Sequence, residues 1–192
     1  MEPNPLELFG QWYAKAEQEV KNMPEAVCLA TASKSGRPSA RMVLLKSFDE
    51  KGFVFFTNYE SRKGHELEEN PQAFLLFYWK ELGRQVRVEG QVEKVSAEES
   101  DAYFATRPRQ SQLGAWASKQ SRPISSRIQL LRSVAKSAAQ FLNKPVERPD
   151  YWGGFRIIPD RYEFWEDQQF RLHNRFDYQW KGDAWEIKRL SP

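Results

Sequence analysis

The chain has 192 residues, of which 40% are hydrophobic and 29% charged, proportions typical of one globular domain spanning residues 1–192. No apolar run approaches the roughly 20 residues that a membrane-spanning helix needs. The start, Met-Glu-Pro-Asn-Pro, lacks the basic and apolar regions of a secretion signal. We therefore predict a cytoplasmic protein with no membrane partner. One cysteine excludes an internal disulfide, and with only two histidines we expect no metal site.

The charge distribution favours small anionic ligands. The net charge is +3, because 29 basic residues stand against 26 acidic ones. The basic residues form several short clusters rather than one long block, so phosphates fit better than a nucleic acid, and we expect no nucleic-acid partner. Neither a Gly-x-Gly-x-x-Gly fingerprint nor a Walker loop occurs, so side chains would have to hold any flavin or nucleotide.

Apolar periodicity and turn signals divide the chain into helices and strands. Helices are predicted at 5–22, from Asn58 or Ser61 through Glu69, from Ser96, and from Ser125 or Ser126 to about Leu142. Strands are predicted at 26–33, 38–48, 53–58, 72–79, 84–95 and in the last forty residues, with irregular chain at 107–125 and a connector at 143–150. Hairpins interrupted by helices favour a mainly β (α+β) fold, an antiparallel barrel with peripheral helices.

Two basic clusters lie in the first third of the chain. Strict alternation along a strand would place Arg41 and Lys46 on opposite faces, and an ordinary core strand with charged ends explains this segment equally well. Arg62 and Lys63 would occupy the first turn of a helix, where cations oppose the helix dipole unless an anion lies nearby. This misfit indicates a phosphate site, although a solvated basic turn has the same composition.

Two further clusters carry candidate ligand-binding groups. Tyr103, Arg107 and Ser111 offer hydroxyls and a guanidinium fork, which suit a phosphate dianion; a solvated polar loop is the alternative. On a strand, Arg171, His173 and Arg175 would share one face, and three such groups repel one another unless an anion lies between them. A solvated edge strand could carry the same pattern.

Six sequence blocks, taken together and in order, resemble the pyridoxine 5′-phosphate oxidase family over nearly the whole chain. They are Arg-Met-Val-Leu-Leu-Lys, Thr-Asn-Tyr-Glu-Ser-Arg-Lys, Arg-Gln-Val-Arg-Val-Glu-Gly, Arg-Pro-Arg-Gln-Ser-Gln-Leu-Gly-Ala-Trp-Ala-Ser-Lys-Gln-Ser, Tyr-Trp-Gly-Gly-Phe-Arg and Arg-Leu-His-Asn-Arg. The resemblance implies an FMN-binding split β-barrel that works as a homodimer with cofactor sites at the subunit interface. The region of about 150–192 would contribute to dimerisation and to the active site.

The resemblance also implies a reaction and a set of site residues. The reaction is oxidation of pyridoxine or pyridoxamine 5′-phosphate by FMN and O₂, giving pyridoxal 5′-phosphate and H₂O₂. The implied FMN contacts are Arg41, Met42, Val43, Leu44, Leu45, Lys46, Phe56, Thr57, Arg62, Lys63, Gln85, Gln120, Ser121, Trp165 and Arg175. The implied substrate contacts are Lys46, Tyr103, Arg107, Ser111, Arg171, Leu172 and His173, of which Arg171 and His173 would lie against the pyridine ring as catalytic residues.

This sequence departs from the family pattern at two informative positions. Phe56 stands where a tyrosine is frequent, so a hydroxyl contact to the flavin is not expected there. Asn174 replaces a frequent aspartate, which removes a charge next to His173. Two other functions compete with the main hypothesis: a related split-barrel flavin oxidase acting on another substrate, such as a phenazine precursor, and a non-catalytic protein that binds flavin or pyridoxal phosphate.

Overall fold

The computed structural model describes residues 2–192, which form five α-helices and nine β-strands. The helices are α1 (Pro5–Glu19), α2 (Arg62–Glu69), α3 (Ala97–Thr106), α4 (Arg109–Ala117) and α5 (Arg127–Gln140). The strands are β1 (Ala26–Ala32), β2 (Pro38–Leu44), β3 (Ser47–Asp49), β4 (Gly52–Asn58), β5 (Gln72–Trp79), β6 (Arg84–Lys94), β7 (Trp152–Glu166), β8 (Asn174–Trp180) and β9 (Trp185–Arg189). Short 3₁₀ helices occupy Lys80–Leu82 and Gln169–Arg171.

All nine strands belong to one antiparallel sheet, in which β7 is the branch point. The main order is β2-β1-β5-β6-β7-β4-β3, and β8 and β9 extend from β7. The first part of β7 pairs with β4 and its last part with β8, while β6 pairs along nearly its whole length. A register shift between Glu89 and Gly90 bends the sheet. The result is a split barrel with helices outside it, so the predicted fold class is confirmed.

The core of the barrel is aromatic and is closed by α1. Phe9 of this helix is fully buried, and its ring makes edge-on contacts with Phe53 and Phe77 at centroid distances of 4.8 and 5.1 Å. The Asn4 side chain caps α1 by accepting a hydrogen bond from the Leu6 amide.

None of the helices among the described residues combines the length and apolar character that crossing a membrane requires.

Two predicted element boundaries are wrong, and both errors have a physical reason. The predicted strand 38–48 is broken after Leu44, where the chain leaves β2 before pairing again in β3. Residues 107–125, predicted to be irregular, contain α4. This helix is stabilised by contacts remote in sequence, since Leu113 is buried and the Trp116 ring lies 5.2 Å from that of Phe141. Its polar sequence gave no local sign of that packing.

The start of α2 depends on a close backbone approach that only glycine permits. A Cβ at Gly64 would lie 1.9 Å from the Tyr59 carbonyl oxygen, whereas a Cβ at Gly114 in α4 would meet nothing within 4 Å. We predict that Gly64→Ala destabilises the protein by roughly 2 kcal/mol or more. The matched variant Gly114→Ala should be neutral or stabilising by about 0.5–1 kcal/mol. Denaturant unfolding measures both, and equal stability of the two variants would contradict the structure.

Candidate active site

A cavity of about 690 Å³ opens beside β2 and β4, between the barrel and the helices α2, α3 and α4. It brings together residues from four of the six sequence blocks, although these are far apart in the chain. Its lining consists of Met42, Val43, Leu44, Lys46, Phe56, Thr57, Asn58, Lys63, Tyr103, Thr106, Arg107, Pro108, Ser111, Gly114, Ala115, Ser118, Gln120 and Trp152. The clusters predicted at 41–46, 57–63 and 103–111 therefore meet at one site.

Lys63 forms the centre of a polar group on one side of the cavity. Ser61 caps α2, which places Lys63 in the first turn as predicted. The Lys63 Nζ donates hydrogen bonds to Thr57 Oγ1 at 3.0 Å and to Gln120 Oε1 at 3.1 Å. Burial, reinforced by the positive charge of Arg41, lowers the pKa of Lys63 to about 8. The ammonium group thus contacts only neutral oxygens and is poised to accept an anion.

Arg107 lies on the other side of the cavity and is incompletely satisfied. Its guanidinium carbon lies 4.6 Å from the centroid of the Trp152 ring. Tyr103, one turn earlier in α3, stacks on Phe56 with ring centroids 4.0 Å apart. The Nη1 atom of Arg107 is buried and has no hydrogen-bond partner among the described residues, and burial lowers its pKa. A buried charged donor without an acceptor is costly, so an anionic ligand would stabilise this site.

Arg41 and Arg62 lie outside the cavity lining and are held by Glu66. One oxygen of this buried carboxylate accepts hydrogen bonds from the hydroxyls of Thr31 and Ser39, both at 2.5 Å, and from Arg41 at 3.2 Å. The other oxygen accepts from Arg62 Nε at 2.8 Å. Burial alone would raise the pKa of Glu66, but these hydrogen bonds outweigh it and lower the pKa to about 2. The two arginines are therefore paired within the chain and share the single negative charge of Glu66.

A second group of predicted residues lies at the opposite end of β7. Gln85 of β6 pairs with Trp165, which in turn pairs with Arg175 of β8. Arg175 donates to Glu163 Oε1 at 2.8 Å. The His173 ring lies 4.6 Å from the Trp165 ring. None of these residues lines the cavity described above, whose only residue from β7 is Trp152, at the other end of the strand.

The predicted strand face carrying Arg171, His173 and Arg175 is wrong. The residues before β8 form a turn that includes a 3₁₀ helix, and both Phe170 and Arg171 have left-handed backbone conformations, with φ of 58° and 61°. β8 begins only at Asn174, so strand alternation does not apply to Arg171 and His173. Arg171 is exposed, and Leu172 next to it is 67% exposed.

Of three further residues predicted to bind the ligands, one lines the cavity and two do not. Leu45 is buried in the core and Ser121 is exposed in a left-handed turn, so neither lines the cavity. Lys46 does line it, together with Met42, Val43 and Leu44 of β2. Sequence reasoning did not identify Glu66 as part of the site's surroundings. The one available signal was its position four residues after Arg62 on the same helix, a spacing that favours an ion pair.

Comparison with known proteins gives a consistent result. Residues 14–141 match the family described as pyridoxamine 5′-phosphate oxidase, and residues 152–192 match the C-terminal dimerisation region of pyridoxine 5′-phosphate oxidase. The pyridoxine/pyridoxamine 5′-phosphate oxidases of Rubrobacter xylanophilus and Paraburkholderia phymatum are both 55% identical to this chain. The alignments cover 100% of this chain and, respectively, 88% and 91% of those proteins.

Two solved structures share the fold. PhzG from Burkholderia lata, in complex with tetrahydrophenazine-1-carboxylic acid, has a TM-score of 0.94 and 34% identity, covering 100% of this chain and 94% of that one. An FMN-binding protein from Nostoc punctiforme has a TM-score of 0.78 and 18% identity over 100% of both chains, a likeness of fold alone.

Fold and site thus define a split-barrel oxidoreductase. The chain belongs to the pyridoxamine 5′-phosphate oxidase family.

The Glu66 ion-pair network makes a prediction about acid stability. Because the pKa of Glu66 is lowered to about 2, its stabilising effect is complete above the unfolded-state value and is lost as the pH falls from about 4.5 towards 2. Glu66→Gln should lower the free energy of unfolding by about 3 kcal/mol at pH 7, and by less as the pH falls from 5 to 3. Urea unfolding at each pH measures this. Glu68→Gln, which changes an exposed residue of the same helix, is the control. If the difference in unfolding free energy between Glu66→Gln and the wild-type protein stayed constant with pH, the network would be contradicted.

Proposed function

We propose that this protein is an FMN-dependent oxidase of pyridoxine 5′-phosphate and pyridoxamine 5′-phosphate, forming pyridoxal 5′-phosphate with O₂ as electron acceptor and H₂O₂ as second product. The observation that carries the proposal is the buried Nη1 of Arg107, which has no hydrogen-bond partner in residues 2–192 and lies in a cavity also lined by Lys46, Tyr103 and Ser111. A substrate phosphate would supply the missing acceptor. The hydroxyls and the ammonium group would complete its recognition by charge-assisted hydrogen bonds.

The chemistry of the other side of the cavity fits FMN. Lys63, Thr57 and Gln120 together offer a buried ammonium group, a hydroxyl and an amide, a donor set suited to the flavin phosphate. The backbone and side chains of 42–44 would lie along the flavin. The cofactor supplies the two-electron acceptor that O₂ regenerates, and the protein supplies placement and charge.

The two groups of site residues would complete each other only across a dimer. Trp152, in the cavity, and Trp165, in the second group, are thirteen residues apart on β7, a separation of up to about 43 Å in an extended strand. One FMN molecule would not reach both groups in one chain. Met42 in the cavity and Tyr78 opposite Gln85 are 63% and 58% exposed, as expected of surfaces that a partner covers. The matched C-terminal dimerisation region supports the same arrangement.

In this dimer Arg171, Leu172 and His173 of one subunit would reach the cavity of the other. Their exposed turn makes such a contact sterically open. Arg171 would lie over the flat pyridine ring and fix it for transfer of the reacting hydrogen, for which small displacements are costly. His173 would accept a proton from the group being oxidised. Gln85, Trp165 and Arg175 of the same subunit would border the flavin.

The second candidate function is oxidation of a phenazine precursor, favoured by the likeness to PhzG. A substrate of that kind carries a carboxylate that would pair with Arg107, but it lacks the three acceptor oxygens that a phosphate offers to Lys46, Tyr103 and Ser111 as well. The Tyr103, Arg107 and Ser111 group therefore favours the phosphorylated pyridine. Comparing turnover of pyridoxine 5′-phosphate with that of tetrahydrophenazine-1-carboxylic acid would separate the two functions.

The lowered pKa of Lys63 predicts a pH-dependent affinity for FMN. Lys63 is charged below about pH 8 and becomes neutral above it, so affinity should fall as the pH rises from 7 to 9. Lys63→Met should weaken binding about 10- to 100-fold at pH 7 and remove this pH dependence. Fluorescence titration of FMN measures both effects, with exposed Lys51→Met as the control. An affinity of the wild-type protein that does not change over this range would contradict the assignment.

Replacement of Arg107 tests the substrate phosphate site. Arg107→Ala should raise KM for pyridoxine 5′-phosphate about 10- to 100-fold, because a charge-assisted phosphate contact is lost, and should leave FMN affinity unchanged. Unphosphorylated pyridoxine should be a poor substrate of the wild-type enzyme for the same reason. Steady-state kinetics measures this, with Arg132→Ala on the exposed face of α5 as the control. Equal turnover of pyridoxine and its phosphate would show that the group recognises something else.

A further inference from the structure

A carboxylate lies against the histidine that the proposed function places at the reacting centre. The Nδ1 atom of His173 lies 3.0 Å from Asp167 Oδ1. The same Nδ1 lies 3.3 Å from the backbone amide of Gln168, which points a hydrogen at it. The imidazole ring also packs on Trp165, and its side chain is only 16% exposed. Its orientation is therefore defined by contacts within one short turn.

The backbone holds Asp167 in this position from two sides. Its amide donates to the carbonyl oxygen of Gly83 at 2.8 Å, at the turn that leads into β6. The preceding Glu166 pairs with Arg84 at 2.9 Å across the same strands. Gly83 has a left-handed backbone, with φ of 58°, which allows this turn to close tightly. The carboxylate is thus anchored to the sheet, although its side chain is 61% exposed.

Asn174, the residue that follows His173, is held by a different partner. Its Oδ1 accepts a hydrogen bond from Arg189 Nη2 at 2.6 Å. An aspartate at 174 in this conformation would pair with Arg189. The carboxylate that contacts His173 in this chain is therefore at 167, a position that the sequence analysis did not single out.

We propose that Asp167 is a positioning residue for His173, a role that rests on the proposed function. Nδ1 cannot donate to Asp167 and accept from Gln168 at once, and the carboxylate favours the protonated Nδ1. This tautomer leaves Nε2 with its lone pair directed at the substrate, and the carboxylate stabilises the imidazolium that forms when Nε2 takes a proton.

The role of the pair is clearest for the alcohol substrate. As the alcohol becomes an aldehyde, the C–H bond at the reacting carbon breaks and its hydrogen leaves with the electron pair to the flavin. The O–H bond breaks as well, Nε2 of His173 takes the proton, and the second carbon–oxygen bond forms. An alcohol is a far weaker acid than the alkylammonium group of the amine substrate, so the alcohol depends more on an oriented base.

The test is Asp167→Asn, which keeps the shape of the side chain and removes its charge. With pyridoxine 5′-phosphate, kcat should fall about 2- to 5-fold, the size expected for an exposed charge pair, while KM and FMN affinity stay unchanged. With pyridoxamine 5′-phosphate the loss should be smaller. Asp167→Glu, which restores the charge, should recover part of the rate. Asp183→Asn removes an exposed carboxylate from the β8–β9 turn and should have no effect.

Two results would overturn the inference in distinguishable ways. In the first, His173→Asn lowers kcat, but Asp167→Asn either leaves kcat unchanged or lowers it equally with both substrates. Asp167 then has no positioning role, and the proposed function stands. In the second, His173→Asn keeps the wild-type kcat and KM. The proposed catalytic role of His173 is then wrong, and so is the role of Asp167 that rests on it. FMN titration of each variant shows whether the cofactor is retained.

Discussion

The pairing of β7 with three other strands is the constraint on which the rest of the structure depends. The first part of β7, which contains Trp152, pairs with β4. Its last part, which contains Trp165, pairs with β8. The basic cavity forms around the first of these residues and the second site group around the other. Backbone hydrogen bonding thus separates the two groups within one chain, which is the physical reason that the proposed site needs two subunits.

The basic residues around the cavity are of two kinds, those paired with a carboxylate and those without a counter-charge among the described residues. Arg41 and Arg62 share the single negative charge of the Glu66 carboxylate and are hydrogen-bonded to it inside the protein. Lys63 contacts only neutral oxygens, and Arg107 keeps a buried donor without a partner among the described residues. Burying a cation without a counter-charge is unfavourable, and both uncompensated cations line the cavity. The protein thereby keeps positive charge where phosphates would bind.

Sequence reasoning succeeded where local rules decide the structure. Ser61 and Ser96 cap their helices as the capping rules predict, and the predicted strands 72–79 and 84–95 correspond to β5 and β6, which ends at Lys94. It failed at α4, whose stability comes from packing against distant residues, and at Arg171, where two successive left-handed residues end the strand pattern. The grouping of Tyr103, Arg107 and Ser111 was predictable because one helix–loop–helix segment carries all three. The contact between Asp167 and His173 was not predictable, because it depends on the shape of the left-handed turn at Phe170 and Arg171.

The most direct test of the two-subunit site is complementation between two inactive variants. Arg107→Ala damages the cavity and Arg175→Leu damages the second group, so at a pyridoxine 5′-phosphate concentration well below KM each homodimer should keep at most about a tenth of wild-type activity. After unfolding and refolding as an equal mixture, about half of the dimers contain both variants, and each of these has one intact site. The account predicts recovery of about a quarter of wild-type activity. A mixture that forms mixed dimers, verified by native mass spectrometry, yet is no more active than its parents would contradict it.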